Sequence, residues 1–114
     1  KFLYKYKINT KIIECKTIRE NNGVACSSRN LLLKSNDIKI ASYIYRYINK
    51  IKHSFNDNKF NFIKNKIIEL GAQKVDYIEI YNTKKNFKRS KKYTRHCKIF
   101  FAYYINNIRL IDNV

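Results

Sequence analysis

Two apolar runs close to Val114 constrain the fold more than any other feature of this chain. They are CKIFFAYYI (97–105) and IRLID (108–112), and only Asn106 and Asn107 separate them. β-Branched and aromatic residues favour strands, and Asn tolerates the positive φ angles that a two-residue hairpin turn requires. The sequence therefore predicts a β-hairpin, which commits this part of the chain to an antiparallel sheet.

Two amphipathic helices are predicted before the hairpin. The first begins with Ser35 as N-cap, carries Asp37 in its first turn and runs to about His53. Its apolar residues recur at three- and four-residue spacing: Ala41, Ile44, Tyr45, Ile48 and Ile51. In the second helix, Phe60, Ile63, Ile67 and Leu70 form one apolar stripe, and Gly71 is placed as the C′ residue that ends it.

The remaining segments predict two more strands and two connectors. VDYIEIY (75–81) is a strand before the hairpin, and KIIECKTI (11–18) is a strand near the start. The polar run 19–23 and the basic run 84–92 are connectors. The predicted fold is α+β, with two helices packed on a three-stranded antiparallel sheet. The strand 11–18 has no place in that sheet, so we interpret it as the last element of a further, absent unit.

Length and charge limit the function without identifying it. The chain has 114 residues, enough for one small domain, and a formal net charge of +17. Apart from the basic run 84–92, the lysines are spread along the chain, and the absence of Pro and Trp fits AT-rich codon use, so the charge is no specific sign of nucleic acid. Aromatic residues interleaved with lysines, as in KFLYKYK, keep a small basic nucleic-acid-binding module open as an alternative. No apolar run approaches the ~20 residues of a membrane span, and we expect a cytoplasmic protein.

The cysteines predict neither a disulfide framework nor a metal site. Cys15, Cys26 and Cys97 form no CxxC pair. His96 precedes Cys97 directly, and neighbouring residues of a strand point to opposite faces. No His and Asn constellation accompanies Cys26 in the sequence, so a role as catalytic nucleophile is not predicted.

The stretch GVACSSRN (23–30) is the most distinctive candidate site. Ser27 and Ser28 offer hydroxyl groups and backbone N–H groups, and Arg29 offers a planar fork of donors suited to phosphate oxygens. A donor-rich loop of this kind can wrap a polyphosphate. It can equally be a surface turn whose serines satisfy local backbone groups. These residues alone leave both interpretations open.

A wider pattern gives this stretch a family context. CKTIRENNGVACSSRNLLL (15–33) resembles the junction between the two domains of the pantothenate synthetase (pantoate–β-alanine ligase) family. The resemblance continues through the helix that begins at Ser35 and through DYIEI (76–80), and it ends with RLIDN (109–113). Cys26 and Val24 stand where the family usually has larger apolar residues.

The resemblance implies a fold, a division into domains and an activity. Residues 1–20 would be the last segment of a Rossmann-like nucleotide-binding domain, and 21–114 would be the C-terminal lid domain. The implied enzyme is an ATP-dependent ligase that condenses pantoate with β-alanine through a pantoyl-adenylate. Its partners would be these small molecules and ATP with Mg²⁺, with no nucleic acid and no membrane, and the intact enzyme would be a homodimer.

The resemblance also implies roles for individual residues. Cys26, Ser27, Ser28 and Arg29 would form the ATP-binding run, and the backbone of Ile18 would meet the adenine. Arg29 would be the catalytic residue, because it offsets charge as pyrophosphate leaves. The family's first domain, with its His-x-Gly-His signature and substrate pockets, has no counterpart in this chain. We therefore expect a fragment that is inactive alone, and an inactive remnant of the ligase remains a second alternative.

Overall fold

A computed structural model describes residues 5–11, 13, 15–84 and 87–114. Within these residues, two α-helices and an antiparallel sheet share one hydrophobic core, which confirms the predicted α+β class. Helix α1 is Ser35–Ile51 and helix α2 is Phe60–Glu69. Both helices contribute side chains that are fully buried together with inward-facing residues of the sheet: Ile44, Ile48, Ile63, Ile67, Ile78 and Phe101.

The sheet has one strand more than the sequence predicted. Strands β1 (Lys74–Asn82), β2 (Lys88–Arg89), β3 (Cys97–Ile105) and β4 (Ile108–Asn113) make up the sheet of the described residues. Their order is β2-β1-β3-β4, and all neighbours are antiparallel. The predicted three strands correspond to β1, β3 and β4. Strand β2 was predicted as part of a basic loop because two residues give no alternating pattern.

The hairpin prediction is confirmed at its turn. Asn106 and Asn107 connect β3 to β4 with φ angles of 46° and 64°. Positive φ at both central residues is the requirement of a type I′ turn, whose twist matches that of the flanking strands. The turn fixes the register, in which Ile105 pairs with Ile108 and Phe101 pairs with Asp112.

The helix ends follow local capping chemistry. Lys34, not Ser35, is the N-cap of α1, because the carboxylate of Asp37 accepts a hydrogen bond of 3.0 Å from the backbone N–H of Lys34. Helix α1 ends at Ile51 and continues as a short 3-10 turn, Lys52–Ser54. None of the helices in the described ranges is long and apolar enough to cross a membrane.

Gly71 ends α2, as predicted. Its φ is +116°, and its N–H donates to the carbonyl of Ile68, while the N–H of Ala72 donates to the carbonyl of Ile67. These two bonds define a Schellman motif. A Cβ at Gly71 would lie 2.8 Å from Cδ1 of Ile40, so the position also allows the close approach of the two helices.

The predicted strand 11–18 is not a strand in the part of it that the structure describes. Residues 12 and 14 lie outside the described residues, and 15–18 have no strand conformation. A strand is stabilised by ladder hydrogen bonds to a neighbour, and the sheet of the described residues includes no strand before β1. The nearest β feature is an isolated bridge between Arg19 and Ala25.

Candidate functional site

Residues 19–25 form a tight turn that leads into the serine-rich stretch. The N–H of Gly23 donates to the carbonyl of Glu20 at 2.8 Å, and the N–H of Glu20 donates to the carbonyl of Val24 at 2.9 Å. Two residues further out on each side, the N–H of Cys26 donates to the carbonyl of Ile18 at 3.0 Å. The turn therefore brings together Ile18 and Cys26, which are two of the predicted site residues.

The 19–25 turn lies directly on helix α1. Gly23 has a φ of +91°, and a Cβ there would lie 2.6 Å from ring carbons of Tyr45. The hydroxyl of Ser42 donates a hydrogen bond of 2.6 Å to the carbonyl of Asn22. Glycine is needed at position 23 both for its backbone angle and for the space that the Tyr45 ring occupies.

Arg19 joins this turn to the last strand. Its guanidinium donates to both carboxylate oxygens of Asp112, at 2.8 and 3.0 Å, and to the carbonyl of Asn113 at 2.7 Å. It also donates to the carbonyl of Gly23 and stacks on the ring of Tyr45, 4.1 Å from the centroid. Partial burial lowers the pKa of Arg19, but the hydrogen bonds and charge of Asp112 outweigh it, so the net pKa is raised.

Ser27 organises the next segment, 27–30, which we call the 27–30 loop. Its hydroxyl oxygen accepts a hydrogen bond of 3.2 Å from the N–H of Arg29, and its carbonyl accepts one of 3.0 Å from the N–H of Asn30. Ser27 thereby caps a short 3-10 helix, Ser28–Leu32. The side chains of Ser28 and Arg29 are exposed.

Asn30 closes the 27–30 loop back onto the turn. Its Nδ2 donates a hydrogen bond of 3.0 Å to the carbonyl of Ala25. Its Oδ1 is buried and has no hydrogen-bond partner among the described residues. A buried acceptor without a partner costs free energy, so this oxygen is a ready acceptor for a bound water or ligand.

A small cleft of about 50 Å³ lies between the 27–30 loop and strand β4. Ser27, Arg29 and Asn30 line one wall, while Arg109 and Asp112 line the other. Pockets that enclose a small-molecule ligand measure roughly 300–1,000 Å³. The cleft can thus hold part of a ligand, such as a phosphate group, and not a whole nucleotide.

The two arginines that line the cleft differ in their partners. Arg109 donates two hydrogen bonds to Asp76, at 2.7 and 2.9 Å, and these bonds raise its pKa. Within the described ranges, no carboxylate pairs with Arg29. Its guanidinium is exposed and keeps its donors for an external anion.

The structure places only some of the predicted site residues in the cleft. Ser27 and Arg29 line it, whereas Ile18, Cys26 and Ser28 do not. The Ile18 side chain is 76% exposed. Desolvation and a hydrogen bond to Glu20 raise the pKa of the Cys26 thiol, and a protonated thiol is a poor nucleophile.

No group of three or more His, Cys, Asp or Glu side chains with metal-binding geometry occurs among the residues that the structure describes. Of the adjacent residues His96 and Cys97, the first accepts a hydrogen bond of 3.0 Å at Nε2 from Nε of Arg95. The sulfur of Cys97 lies 3.2 Å from the hydroxyl of Thr94. His96 and Cys97 thus have separate polar partners.

Comparison with known proteins identifies the family. The family model described as pantoate-beta-alanine ligase matches residues 1–114, the whole chain. The chain belongs to this family, as its sequence pattern predicted. A pantothenate synthetase of Flavobacterium psychrophilum is 34% identical over 123 residues, and one of Francisella tularensis subsp. mediasiatica is 41% identical over 106. These alignments cover 100% and 93% of this chain but only 42% and 33% of the relatives.

Solved structures show the same fold. The pantoate-beta-alanine ligase of Francisella tularensis, complexed with beta-gamma ATP and beta-alanine, is 38% identical with a TM-score of 0.72. It is matched over 98% of this chain and 36% of its own. A pantothenate synthetase of Thermus thermophilus has a TM-score of 0.78 at 20% identity, over 98% of this chain and 42% of its own, and supports the fold alone. This chain therefore spans well under half the length of these relatives.

Sequence reasoning did not assign a role to Arg19, Arg109 or Asp112. All three belong to the family pattern, in RENNG and RLIDN, so the pattern marked them without giving their contacts. Arg19 and Asp112 are 93 positions apart, and a single sequence contains no sign that they pair.

Proposed function

We propose that this chain is the C-terminal part of an ATP-dependent ligase that condenses pantoate with β-alanine. The reaction proceeds through a pantoyl-adenylate and gives pantothenate, AMP and pyrophosphate. Family membership supports the overall reaction. The Francisella relative, 38% identical, is complexed with beta-gamma ATP and beta-alanine, which supports these two molecules as ligands here.

One observation carries the role of this chain within that reaction. Arg29 is exposed at the edge of a small cleft and, within the described ranges, is paired with no carboxylate. An exposed guanidinium without a carboxylate partner binds phosphate oxygens through parallel hydrogen bonds. The 27–30 loop is therefore the segment that binds the phosphates of ATP.

The chemistry of the loop follows from charge. When pantoate attacks the α-phosphate, negative charge accumulates on the departing pyrophosphate. Arg29 offsets that charge, and the exposed hydroxyl of Ser28 donates a further hydrogen bond. The hydroxyl oxygen of Ser27 accepts from the N–H of Arg29, so its own hydrogen remains available to a phosphate oxygen. Ile18 and Cys26 supply backbone contacts to the rest of the nucleotide.

The site in this chain is incomplete. A cleft of about 50 Å³ does not enclose ATP. The pantoate and β-alanine pockets, and most nucleotide contacts, would lie in a separate nucleotide-binding domain, so these 114 residues alone form no pantothenate. In the intact enzyme, a cytoplasmic homodimer, Mg²⁺ would arrive with ATP, and neither nucleic acid nor membrane takes part.

ATP binding by this chain tests the role of the loop. In a titration followed by ¹H–¹⁵N correlation spectra, ATP should shift the amides of the 27–30 loop, and Arg29→Ala should weaken binding at least about tenfold, the loss of one charge-assisted contact. Arg46→Ala, which removes an exposed arginine from α1 outside the cleft, is the matched control for net charge. Equal losses in both variants would show that ATP responds to overall charge and would contradict the proposal.

A further inference from the structure

Arg19 connects three parts of the molecule that are distant in sequence. Its guanidinium donates to the carbonyl of Gly23 in its own turn, and it stacks on Tyr45 of α1. Its other bonds reach Asp112 and the carbonyl of Asn113 in β4. The side chain of Arg19 is 20% exposed and that of Asp112 is 8% exposed, so water competes little for these bonds.

These contacts require the shape of arginine as well as its charge. The two terminal nitrogens of the guanidinium bond to the two oxygens of Asp112, which is a planar, bidentate arrangement. Each of them also bonds to a backbone carbonyl, one on each side of the pair. A lysine ammonium is a point charge and cannot reproduce two parallel bonds and a stacked plane together.

The 27–30 loop is attached to Ala25, whose backbone pairs with that of Arg19. Arg19 and Ala25 form an isolated antiparallel bridge, and the carbonyl of Ala25 accepts the hydrogen bond from Nδ2 of Asn30. A displacement of Arg19 therefore moves Ala25 and, through Asn30, the loop that carries Arg29. Asp112 meanwhile lines the wall of the cleft opposite Arg29. The Arg19–Asp112 pair thus sets the distance between the two walls of the cleft.

We propose that Arg19 is a positioning residue of the candidate site, which holds the 27–30 loop in place against β4 without itself contacting the nucleotide. This inference rests on the proposed function of the loop in binding ATP phosphates. Arg19 acts through Ala25 and Asn30 on one wall and through Asp112 on the other. Its replacement should loosen the loop while the core shared by the helices and the sheet stays folded.

Loop order in the absence of ligand is the primary test. Arg19→Lys keeps the charge and loses the bidentate bonds, and Asp112→Asn weakens the same pair from the β4 side, in case one variant does not fold. In both, ¹⁵N order parameters of 27–30 should fall from about 0.85 to below about 0.6, while those of α1 stay unchanged. Lys66→Ala is the control, since it removes an exposed ion pair of the same 2.8 Å length within α2.

ATP affinity is the second measurement, made on the same variants. We expect binding about tenfold weaker in Arg19→Lys and unchanged in Lys66→Ala, whereas Asp112→Asn is judged by loop order alone, because it also removes a negative charge from the wall of the cleft. A loop that stays ordered in the folded variants would overturn the positioning role, whatever happens to ATP. A loop that becomes mobile in a chain whose wild type does not bind ATP would support the positioning role and contradict the proposed function, so the two failures are distinguishable.

Discussion

Nδ2 of Asn106 donates a hydrogen bond of 2.8 Å to Oδ1 of Asp37, across 69 residues of sequence. The other oxygen of Asp37 accepts from the N–H of Lys34 and thereby caps α1. One carboxylate, 5% exposed, thus fixes the start of the helix and attaches it to the turn of the β3–β4 hairpin. The cap and the turn, two local features, are coupled through Asp37.

We expect Asp37→Ala to lower the free energy of unfolding by about 1–3 kcal/mol. The change removes the hydrogen bond that Asp37 accepts from the N-cap residue Lys34 and leaves the amide of Asn106 without its acceptor. Urea denaturation followed by circular dichroism measures the effect. Glu69→Ala, which breaks the exposed pair with Lys66, is the control and should cost less than about 1 kcal/mol. Equal effects of the two substitutions would show that Asp37 does not couple helix and hairpin.

Gly23→Ala should destabilise the turn by about 1–3 kcal/mol, because it combines a φ of +91° with a clash. The new Cβ would lie 2.6 Å from the Tyr45 ring, on which Arg19 stacks. The test is a double-mutant cycle with Tyr45→Ala, in which the clash disappears. The cost of Gly23→Ala should be smaller in the Tyr45→Ala background, and strictly additive free energies would rule out the steric part of this explanation.

Arg29→Ala should slow adenylate formation at least about tenfold in a complete enzyme, equivalent to ~1.4 kcal/mol of transition-state stabilisation. A suitable enzyme is a chimaera in which this chain replaces the matching 36% of the Francisella tularensis ligase. Pyrophosphate release in the first turnover measures the step.

Arg46→Ala in the same chimaera is the control, since this side chain lies on α1 outside the cleft. Its rate should match that of the unaltered chimaera. An undiminished rate of pyrophosphate release in the Arg29→Ala chimaera would remove the role proposed for Arg29.

The sequence predicted those elements whose signals are local. The Asn106–Asn107 turn and the Gly71 cap depend on backbone angles that particular residue types favour, and both were correct. Strand β2 was missed because Lys88 and Arg89 resemble any solvated basic pair and form a strand only through pairing with β1. In the part of 11–18 that the structure describes, the predicted strand is absent for the converse reason, since a β-branched run needs a neighbouring strand.

In the candidate site, too, the sequence predicted the local features and missed the contacts between distant residues. The pattern around Arg29 located the 27–30 loop, because residue types and spacing suffice to match a family. The pairing that we propose positions this loop is not local, because Arg19 reaches Asp112 across 93 positions. Whether an arginine is paired, as Arg109 is with Asp76, or has no carboxylate partner in the described part, as with Arg29, depends on tertiary geometry alone.

Tyr103 adds a pH-dependent contribution to stability. Its side chain is 4% exposed, lies in β3 and lines the cleft together with Asp112. Burial, and secondarily the negative charge of Asp112, raise the pKa of Tyr103 above its ordinary value of 10.0. Above pH 10 the folded chain therefore keeps a phenolic proton that the unfolded chain releases. The contribution is complete below pH 10 and is lost as the pH rises.

We therefore expect the free energy of unfolding to fall more steeply above pH 10 in the wild type than in Tyr103→Phe, by about 1.4 kcal/mol per pH unit. Phenylalanine keeps the ring stacked on Phe101 but has no proton to lose. Urea denaturation at pH 9, 10, 10.5 and 11, chosen to bracket the ordinary tyrosine pKa of about 10, gives both profiles, and their difference cancels the titration of the lysines and the other tyrosines. Parallel profiles would show that Tyr103 titrates alike in the folded and unfolded chains, contrary to its burial beside Asp112.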